Sequence, residues 1–144
     1  ERLDLLDVAL VSSSYSDSSY ALIHNGYMDH VNYPSVNLNN TILNKASQLN
    51  IDCKTCRVHS SDVFYTASSE TFVDIAKRTE SECVEMESYA LFHNAAYLGK
   101  NAACLLTISD SFVSSKELSA EERQHSFKTM MVLALETAIE IDTR

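Results

Sequence analysis

One stretch in the second half of the chain constrains the fold most, namely CVEMESYALFHNAAYLGKNAACLLTISD. Cys83–Met86 is a short, mostly apolar segment that ends in carboxylates, and Glu87–Leu98 has helical spacing closed by Gly99. Ala102–Ile108 is an unbroken apolar run, which is typical of a parallel strand covered on both faces. The stretch therefore predicts strand, helix and strand, and with them an α/β fold.

Polar residues follow both of these predicted strands. Ser109 and Asp110 come directly after the second strand, and Glu85 and Glu87 stand at the end of the first. Ligands of open α/β sheets bind beyond the carboxyl ends of the strands. We therefore expect the four side chains at one rim of the sheet.

Three motifs in order carry a family resemblance: V-E-M-E-S at 84–88, S-D at 109–110 and A-E-E-R-Q at 120–124. Together they resemble the hexameric, bacterial-type purine nucleoside phosphorylases, most strongly from about Ser61 to Ala138. The match is to the later part of such an enzyme, whose first strands have no counterpart in this chain. It implies a three-layer αβα fold around a mixed, largely parallel sheet, with residues 1–144 forming one domain that lacks the N-terminal strands.

The resemblance also implies an activity. The intact protein is expected to convert a purine nucleoside and phosphate into free purine and ribose 1-phosphate, as a transferase of purine salvage. Phosphate is then a co-substrate, and no cofactor is expected. By the same resemblance we expect a cytoplasmic homohexamer built as a trimer of dimers.

Site residues follow from the resemblance as well. It assigns catalysis to Asp110 and Arg123, with Asp110 protonating the departing purine and Arg123 moving up to it once phosphate is bound. Glu87 would accept hydrogen bonds from the ribose hydroxyls while Met86 covers the apolar face of the sugar. The residues expected to bind substrate are Phe64, Val84, Glu85, Met86, Glu87 and Ser109.

Phe64 carries two readings of equal weight. Its ring can stack on a purine, which is worth about 1–3 kcal/mol by analogy with base stacking. Alternatively, Phe64 and Tyr65 pack their loop onto the sheet.

The last helix is predicted over Ala120–Ile141. Ser119 and Glu122 form a capping box. Arg123 lies four residues before Phe127 and would share the core-facing face, where an arginine requires an anionic partner. The predicted core stripe of this helix is Phe127, Met130, Met131, Ala134 and Ala138.

Earlier segments give weaker signals. Asn25-Gly26 predicts either a two-stranded hairpin or a turn within a loop. The polar tract Ser12–Ser19 predicts a loop in which Asp17 is solvated. The remaining predicted elements are strands at Leu5–Ser12 and Cys53–His59 and helices at Leu38–Leu49 and Glu70–Thr79.

Composition excludes several classes of function. The net charge is -9 and there is no run of Lys or Arg, so neither nucleic acid nor a membrane surface is an expected partner. Only Gly26 and Gly99 are glycine, so no glycine-rich phosphate loop can be built. We therefore expect the chain by itself to bind phosphate weakly, to lack phosphorolysis and to expose an apolar face.

Cysteines and histidines give no metal pattern. Cys53 and Cys56 form C-x-x-C within an alternating strand, where positions three apart point to opposite faces and cannot share an ion. We expect buried thiols instead. The five histidines have no spacing typical of a metal site or a catalytic triad.

Two other functions compete with phosphorolysis. One is hydrolysis of methylthioadenosine or S-adenosylhomocysteine by a nucleosidase, whose family shares the V-E-M-E-like and S-D features but not the E-R-Q helix start. The other is a catalytically incomplete fragment that acts only as an assembly module.

Overall fold

The computed structural model describes residues 2–142 apart from 113 and 115. Within these residues no helix is long and apolar enough to cross a bilayer. The elements in chain order are β1 Val8–Tyr15, α1 Tyr20–Asn25, β2 Val31–Asn32, α2 Val36–Gln48, β3 Cys53–Ser60, α3 Phe72–Thr79, β4 Cys83–Glu85, α4 Ser88–Tyr97, β5 Leu105–Thr107, β6 Asp110–Ser111, β7 Lys116–Glu117, α5 Ala120–Ser126 and α6 Lys128–Asp142.

The chain forms two compact units, and β1 and β3 each contribute to both. The first unit comprises the described parts of 1–10, 36–55 and 105–144. In it, β5 pairs antiparallel with the start of β1, with Val8 opposite Thr107. Helix α6 packs on β5 and on α2, and it buries Leu133 completely.

The second unit comprises 11–35 and 56–104. Here β2 pairs antiparallel with the end of β1, and β4 runs parallel to β3. The hydroxyls of Ser12 and Ser16 donate to the carbonyls of Cys56 and Ser60 at 2.9 and 2.6 Å, so β1 and β3 advance in the same direction. The carboxyl ends of β1, β3 and β4 therefore lie at one edge of this unit.

The α/β prediction is confirmed, since helices pack on a mixed sheet. The predicted spans of α2, β3, α3, β4 and α4 agree with the structure to within a few residues. That the chain forms one domain stays a prediction.

The apolar run Ala102–Ile108 was predicted to be a parallel strand, and this is wrong. Only Leu105–Thr107 forms a strand, and it is antiparallel to β1. An apolar run reports burial and not direction, because strand direction is set by pairing with distant residues. Both Leu105 and Thr107 are half-buried and not covered on both faces.

The hairpin and turn predicted around Asn25-Gly26 are also wrong. Tyr20–Asn25 is a helix, and Gly26 ends it in the left-handed conformation with φ 79°. Its N–H bonds the carbonyls of Ala21 and Leu22. A residue with positive φ serves hairpin turns and helix ends equally well, so the local signal could not separate them.

The predicted start and end of β1, Leu5 and Ser12, differ from those in the structure. The strand starts at Val8 and extends to Tyr15, through half of the tract predicted as loop. Ser13, Ser14 and Ser16 are buried. The hydroxyls of Ser14 and Ser16 tolerate burial because each has a hydrogen-bond partner.

The long final helix is interrupted at Phe127, which separates α5 from α6. The buried residues of α6 are Leu133 and Thr137, while Met131, Ala134 and Ala138 of the predicted stripe are exposed. Helix α6 is apolar almost all round, so periodicity could not identify its core face. The capping box of Ser119 and Glu122 is confirmed.

Candidate functional site

The two predicted catalytic residues are in direct contact within the first unit. Arg123 Nη2 donates to Asp110 Oδ1 at 2.7 Å, and Ser109 Oγ lies 2.5 Å from the other carboxylate oxygen, Oδ2. Asp110 belongs to β6, which pairs with β7, and the N–H of Leu118 bonds the Ser109 carbonyl at 2.9 Å. This short two-stranded ladder places Asp110 next to the start of α5, where Arg123 lies.

Arg123 was predicted to point into the core, and this is wrong. Its side chain is 44% exposed and that of Asp110 is 37% exposed, so water screens the pair. The interruption at Phe127 separates Arg123 from the buried face of α6. An exposed ion pair contributes about 0–1 kcal/mol to stability, so stability gives little reason for this contact.

Glu85 and Ser88 form the start of α4 in the second unit. The Glu85 carboxylate accepts hydrogen bonds from Glu87 N at 2.8 Å, Ser88 N at 2.7 Å and Ser88 Oγ at 2.6 Å. Ser88 Oγ also lies 2.8 Å from the buried Ser14 Oγ of β1. Glu85 therefore satisfies the free N–H groups of a helix N-terminus and links that helix to the sheet.

Glu87 and Met86 are placed differently from Glu85. Both side chains are exposed, and among the described residues the Glu87 carboxylate accepts a hydrogen bond from the Met86 N–H alone, at 3.3 Å. Val84 is half-buried in β4, in register with His59 of β3. Of the two glutamates, Glu87 is the one whose carboxylate remains available to a ligand.

Phe64 lies in the loop after β3 with 53% of its surface exposed. Its ring meets Tyr65 edge-on, with centroids 5.1 Å apart, and lies 6.2 Å from the ring of Phe72. Tyr65 is 91% exposed and Phe72 belongs to α3, so these ring contacts do not pack the loop onto the sheet, and the exposed part of Phe64 leaves room for a ligand. A role in base binding stays a prediction.

Sequence reasoning missed an ion-pair network in the second unit. Arg78 bonds Glu70 Oε1 at 3.1 Å, Asp17 Oδ2 at 3.1 Å and the Tyr15 hydroxyl at 2.8 Å. Asp17, expected to be solvated, also accepts from the Tyr15 hydroxyl at 2.6 Å. Burial raises the pKa of Asp17, but the bonds from Tyr15 and Arg78 outweigh it and leave the pKa lowered. Arg78 lies 63 and 61 residues after Tyr15 and Asp17, so no local pattern could reveal these contacts.

A second missed contact joins two histidines. His24 Nδ1 and His93 Nε2 lie 3.0 Å apart, which connects α1 to α4. His93 is buried, and this burial together with the neighbouring His24 lowers its pKa. The rings of Tyr20, Tyr27 and Tyr97 surround the pair.

The cysteines are free thiols. Cys56 is buried and lies with its Sγ 3.7 Å from Cys83 Sγ on the neighbouring strand. This hydrogen bond and burial raise the pKa of Cys83, so the thiol stays protonated at neutral pH. Across the described residues, no cluster of three or more His, Cys, Asp or Glu side chains is arranged to hold a metal ion.

Comparison with known proteins gives consistent matches along nearly the whole chain. The family model described as the Phosphorylase superfamily matches residues 2–141. The chain is 34% identical to a DeoD-type purine nucleoside phosphorylase of Aliivibrio fischeri, over 98% of this chain and 59% of that protein. It is 36% identical to a DeoD-type purine nucleoside phosphorylase of Clostridium beijerinckii, over 99% of this chain and 60% of that protein. The chain thus spans less than two thirds of these curated relatives.

Two solved structures share the fold. Purine nucleoside phosphorylase from Toxoplasma gondii, in complex with immucillin-H, has a TM-score of 0.80 at 12% identity, covering 97% of this chain and 58% of that one. A 5'-methylthioadenosine/S-adenosyl homocysteine nucleosidase from Campylobacter jejuni has a TM-score of 0.77 at 18% identity, covering 95% and 62%. At these identities the two structures identify the architecture, which is that of phosphorylases and nucleosidases alike.

Proposed function

Because the chain belongs to the phosphorylase superfamily, we propose that its protein catalyses phosphorolysis of purine nucleosides to free purine and ribose 1-phosphate. The observation that carries the proposal is the 2.7 Å hydrogen bond between Arg123 and Asp110. A screened surface pair contributes little to stability, whereas a guanidinium beside a carboxyl group stabilises the carboxylate that forms when that group gives up its proton. The similarity to named purine nucleoside phosphorylases supports the same reaction.

The proton transfer is assigned to Asp110. In the reaction a phosphate oxygen bonds the ribose C1′ while the N-glycosidic bond breaks, and the electron pair of that bond leaves with the purine. For this step Asp110 must be protonated when the nucleoside binds; it donates that proton to the purine ring, so the base departs as a neutral molecule. Arg123 stabilises the carboxylate that remains, and Ser109 holds its second oxygen.

The sugar is assigned to Glu87 and Met86. Charge-assisted hydrogen bonds from the 2′ and 3′ hydroxyls to the Glu87 carboxylate fix the ribose, and the carboxylate favours the positive charge that develops on the ring. The Glu87 carboxylate is exposed and has few protein partners, so it is free to bind the ribose hydroxyls. Glu85 is bound three times by the backbone and side chain of its own helix start, so it positions this segment.

The base is assigned to Phe64 and Val84. A purine is a flat apolar plate, and the exposed part of the Phe64 ring can stack on it. Val84 supplies apolar contact from β4. We propose phosphate as the co-substrate with no cofactor, and a cytoplasmic homohexamer arranged as a trimer of dimers that serves purine salvage.

The test is an assay of the intact protein on inosine and adenosine, with and without phosphate. We expect purine release only with phosphate, together with ribose 1-phosphate in equal amount. Multi-angle light scattering on the same sample measures the oligomer. Purine release at the same rate without phosphate, with free ribose as the product, would contradict the proposal.

A second candidate is hydrolysis of methylthioadenosine or S-adenosylhomocysteine. It is favoured by the shared fold of the nucleosidase from Campylobacter jejuni. The assay above separates the two, because a hydrolase releases adenine from methylthioadenosine in phosphate-free buffer. The Arg123–Asp110 contact and the matched phosphorylases favour the transferase.

A further inference from the structure

Ser88, the first residue of α4, has a hydrogen-bonding neighbour in each of two strands. Its Oγ lies 2.6 Å from Glu85 Oε1 of β4 and 2.8 Å from the Oγ of Ser14 in β1. Both serines are 0% exposed, so water does not compete for either hydroxyl. Ser14, Ser88 and the Glu85 carboxylate therefore form a continuous line of hydrogen bonds, which we call the hydroxyl relay.

The chemistry of the three groups determines where each proton of the relay lies. A carboxylate only accepts, so the single hydroxyl proton of Ser88 is donated to Glu85. Ser88 Oγ can then only accept from Ser14, whose hydroxyl proton points toward it. Each hydroxyl therefore donates once, from Ser14 to Ser88 and from Ser88 to Glu85.

The relay occupies one oxygen of the Glu85 carboxylate and leaves the other to the backbone. Oε2 accepts from the N–H of Glu87 at 2.8 Å and from the N–H of Ser88 at 2.7 Å. Rotation of the carboxylate would break these two bonds together with the bond from the Ser88 hydroxyl. Hydrogen bonds to an ionised group are roughly twice as strong as neutral ones. The Ser88 hydroxyl therefore keeps the carboxylate oriented toward the backbone N–H of Glu87.

Other contacts hold the start of α4 on the sheet of the second unit. Ser14 lies opposite Asn32 of β2, and the Asn32 side-chain amide donates to the Tyr89 carbonyl at 3.3 Å. The Tyr89 N–H lies 3.4 Å from Ser60 Oγ at the end of β3. Together with the relay, these contacts fix the first turn of α4 to β1, β2 and β3.

Glu87, the residue assigned above to the ribose hydroxyls, lies between the two residues that the relay joins. Its backbone N–H is bonded to Glu85, and the next residue, Ser88, is fixed to β1. Its own carboxylate is exposed, so its position depends on this backbone. A displacement of about 1 Å at a group that positions the substrate can cost about a hundredfold in rate. The relay can therefore influence a bound ribose through Glu87.

We propose that Ser88 and Ser14 are positioning residues for the proposed reaction, which orient the Glu87 carboxylate toward the ribose hydroxyls. Both serines are fully buried, so they act through Glu85 and Glu87 and do not touch the substrate. The inference rests on the proposed function, because Glu87 is the group through which it acts. Ser88 has the larger effect, since it bonds Glu85 directly and Ser14 acts through Ser88.

The first test compares inosine with 2′-deoxyinosine as substrates of the intact protein. Ser88→Ala should lower kcat/KM for inosine by about tenfold and that for 2′-deoxyinosine by less, because only inosine presents the 2′ hydroxyl. Ser14→Ala should show the same preference with a smaller loss. Ser88→Cys keeps a weak donor and should fall between Ser88→Ala and the wild type.

Ser81→Ala is the matched control. The Ser81 hydroxyl is also buried and lies 2.8 Å from the buried Thr79 hydroxyl, outside the relay. Its removal should leave the ratio of the two kcat/KM values unchanged. Adding Ser88→Ala to Glu87→Ala should not change that ratio further, because the residue through which Ser88 acts is already gone.

Amide hydrogen exchange tests the relay without reference to activity. In Ser88→Ala, the N–H groups of Glu87 and of residue 88 should exchange at least about tenfold faster than in the wild type, because their acceptor is free to rotate. Ser81→Ala should leave both rates unchanged. The rates are measured by NMR on the 15N-labelled intact protein, and thermal unfolding checks that each variant folds. If Ser88→Ala does not fold, Ser14→Ala, which keeps the bond to Glu85, serves for both measurements.

Two results would overturn the proposal. Equal exchange rates at Glu87 in the wild type and in a folded Ser88→Ala variant would show that the relay does not hold this segment. Faster exchange with equal losses on inosine and 2′-deoxyinosine would show that the relay stabilises the helix start without positioning Glu87. A wild type that releases purine from neither nucleoside overturns the proposed function instead, and the exchange rates then test the relay by themselves.

Discussion

Arg123 Nη2 donates to Asp110 Oδ1 at 2.7 Å, while Ser109 Oγ lies 2.5 Å from Oδ2 of the same carboxylate. Glu117 approaches the same guanidinium at 4.0 Å. All of these groups are close to solvent, so their contribution to the free energy of unfolding is small. In the proposed reaction the same contacts lie at the group that transfers the proton. Catalysis and stability should therefore respond very differently to substitution here.

Asp110→Asn should lower kcat for inosine phosphorolysis by at least about a hundredfold, because an amide cannot donate the proton that the purine requires. The free energy of unfolding should change by no more than about 1 kcal/mol. Steady-state kinetics and urea denaturation of the same preparation measure both. Asp52→Asn, at an exposed position, is the control. Near-normal turnover by Asp110→Asn would remove Asp110 from the role of acid.

Arg123→Ala should reduce kcat by about a hundredfold, in the range found for removal of one group that stabilises developing charge. Arg123→Lys keeps the charge but not the geometry, and an intermediate loss is expected. In the double variant with Asp110→Asn the losses should not add, because the two residues act on one proton transfer. Additive losses in kcat would show that Arg123 acts elsewhere.

Glu87→Ala should impair ribosides more than 2′-deoxyribosides, because only a riboside presents the hydroxyl that loses its partner. Glu85→Ala is the matched comparison. It removes an acceptor of three hydrogen bonds at the start of α4 and should cost about 1–2 kcal/mol of stability. The measurement is kcat/KM on inosine and 2′-deoxyinosine, alongside chemical denaturation. Equal losses on both nucleosides with Glu87→Ala would assign that residue to the fold.

The sequence predicted those parts of the structure that depend on neighbouring residues. The capping box at Ser119 and the left-handed Gly99 that follows α4 are local features. The direction of Leu105–Thr107 and the network around Arg78 depend on residues far away in the chain. No periodicity carries such information.

In the candidate site, too, some features could be predicted from the sequence and others could not. The family resemblance implied that Asp110 and Arg123 act together, and in the structure the two side chains are in contact. The different positions of Glu85 and Glu87 could not be predicted, since both follow one strand and differ only in which backbone groups they reach. The contact between Ser14 and Ser88 gave no signal at all, because the two serines are 74 residues apart in the chain.

The fold should lose stability in mild acid because of His93. Burial, assisted by His24, lowers the pKa of His93 below 6.5, so below about pH 6.5 the unfolded chain binds a proton that the folded chain does not. Stability is therefore full above that pH and decreases as pH falls toward the folded pKa. His93→Gln should show a smaller difference in Tm between pH 7.5 and about 5.5 than the wild type. His24→Gln should keep part of the dependence, since His93 remains buried. If His93→Gln shows the same Tm difference between the two pH values as the wild type, His93 is not the source of the acid sensitivity.

One face of α6 is buried, and a pair of leucines tests which face it is. Leu133 is 0% exposed and Leu135 is 64% exposed on the same helix. Leu133→Ala should therefore cost about 2–5 kcal/mol, through lost burial and the cavity that remains. Leu135→Ala should change stability by less than about 0.5 kcal/mol. Urea denaturation of the two variants at one pH measures both costs. Each variant replaces a leucine with alanine on the same helix, so the change in helix propensity is the same in both. Equal costs would mean that Leu135 is packed in the folded protein and that the face assignment of α6 is wrong.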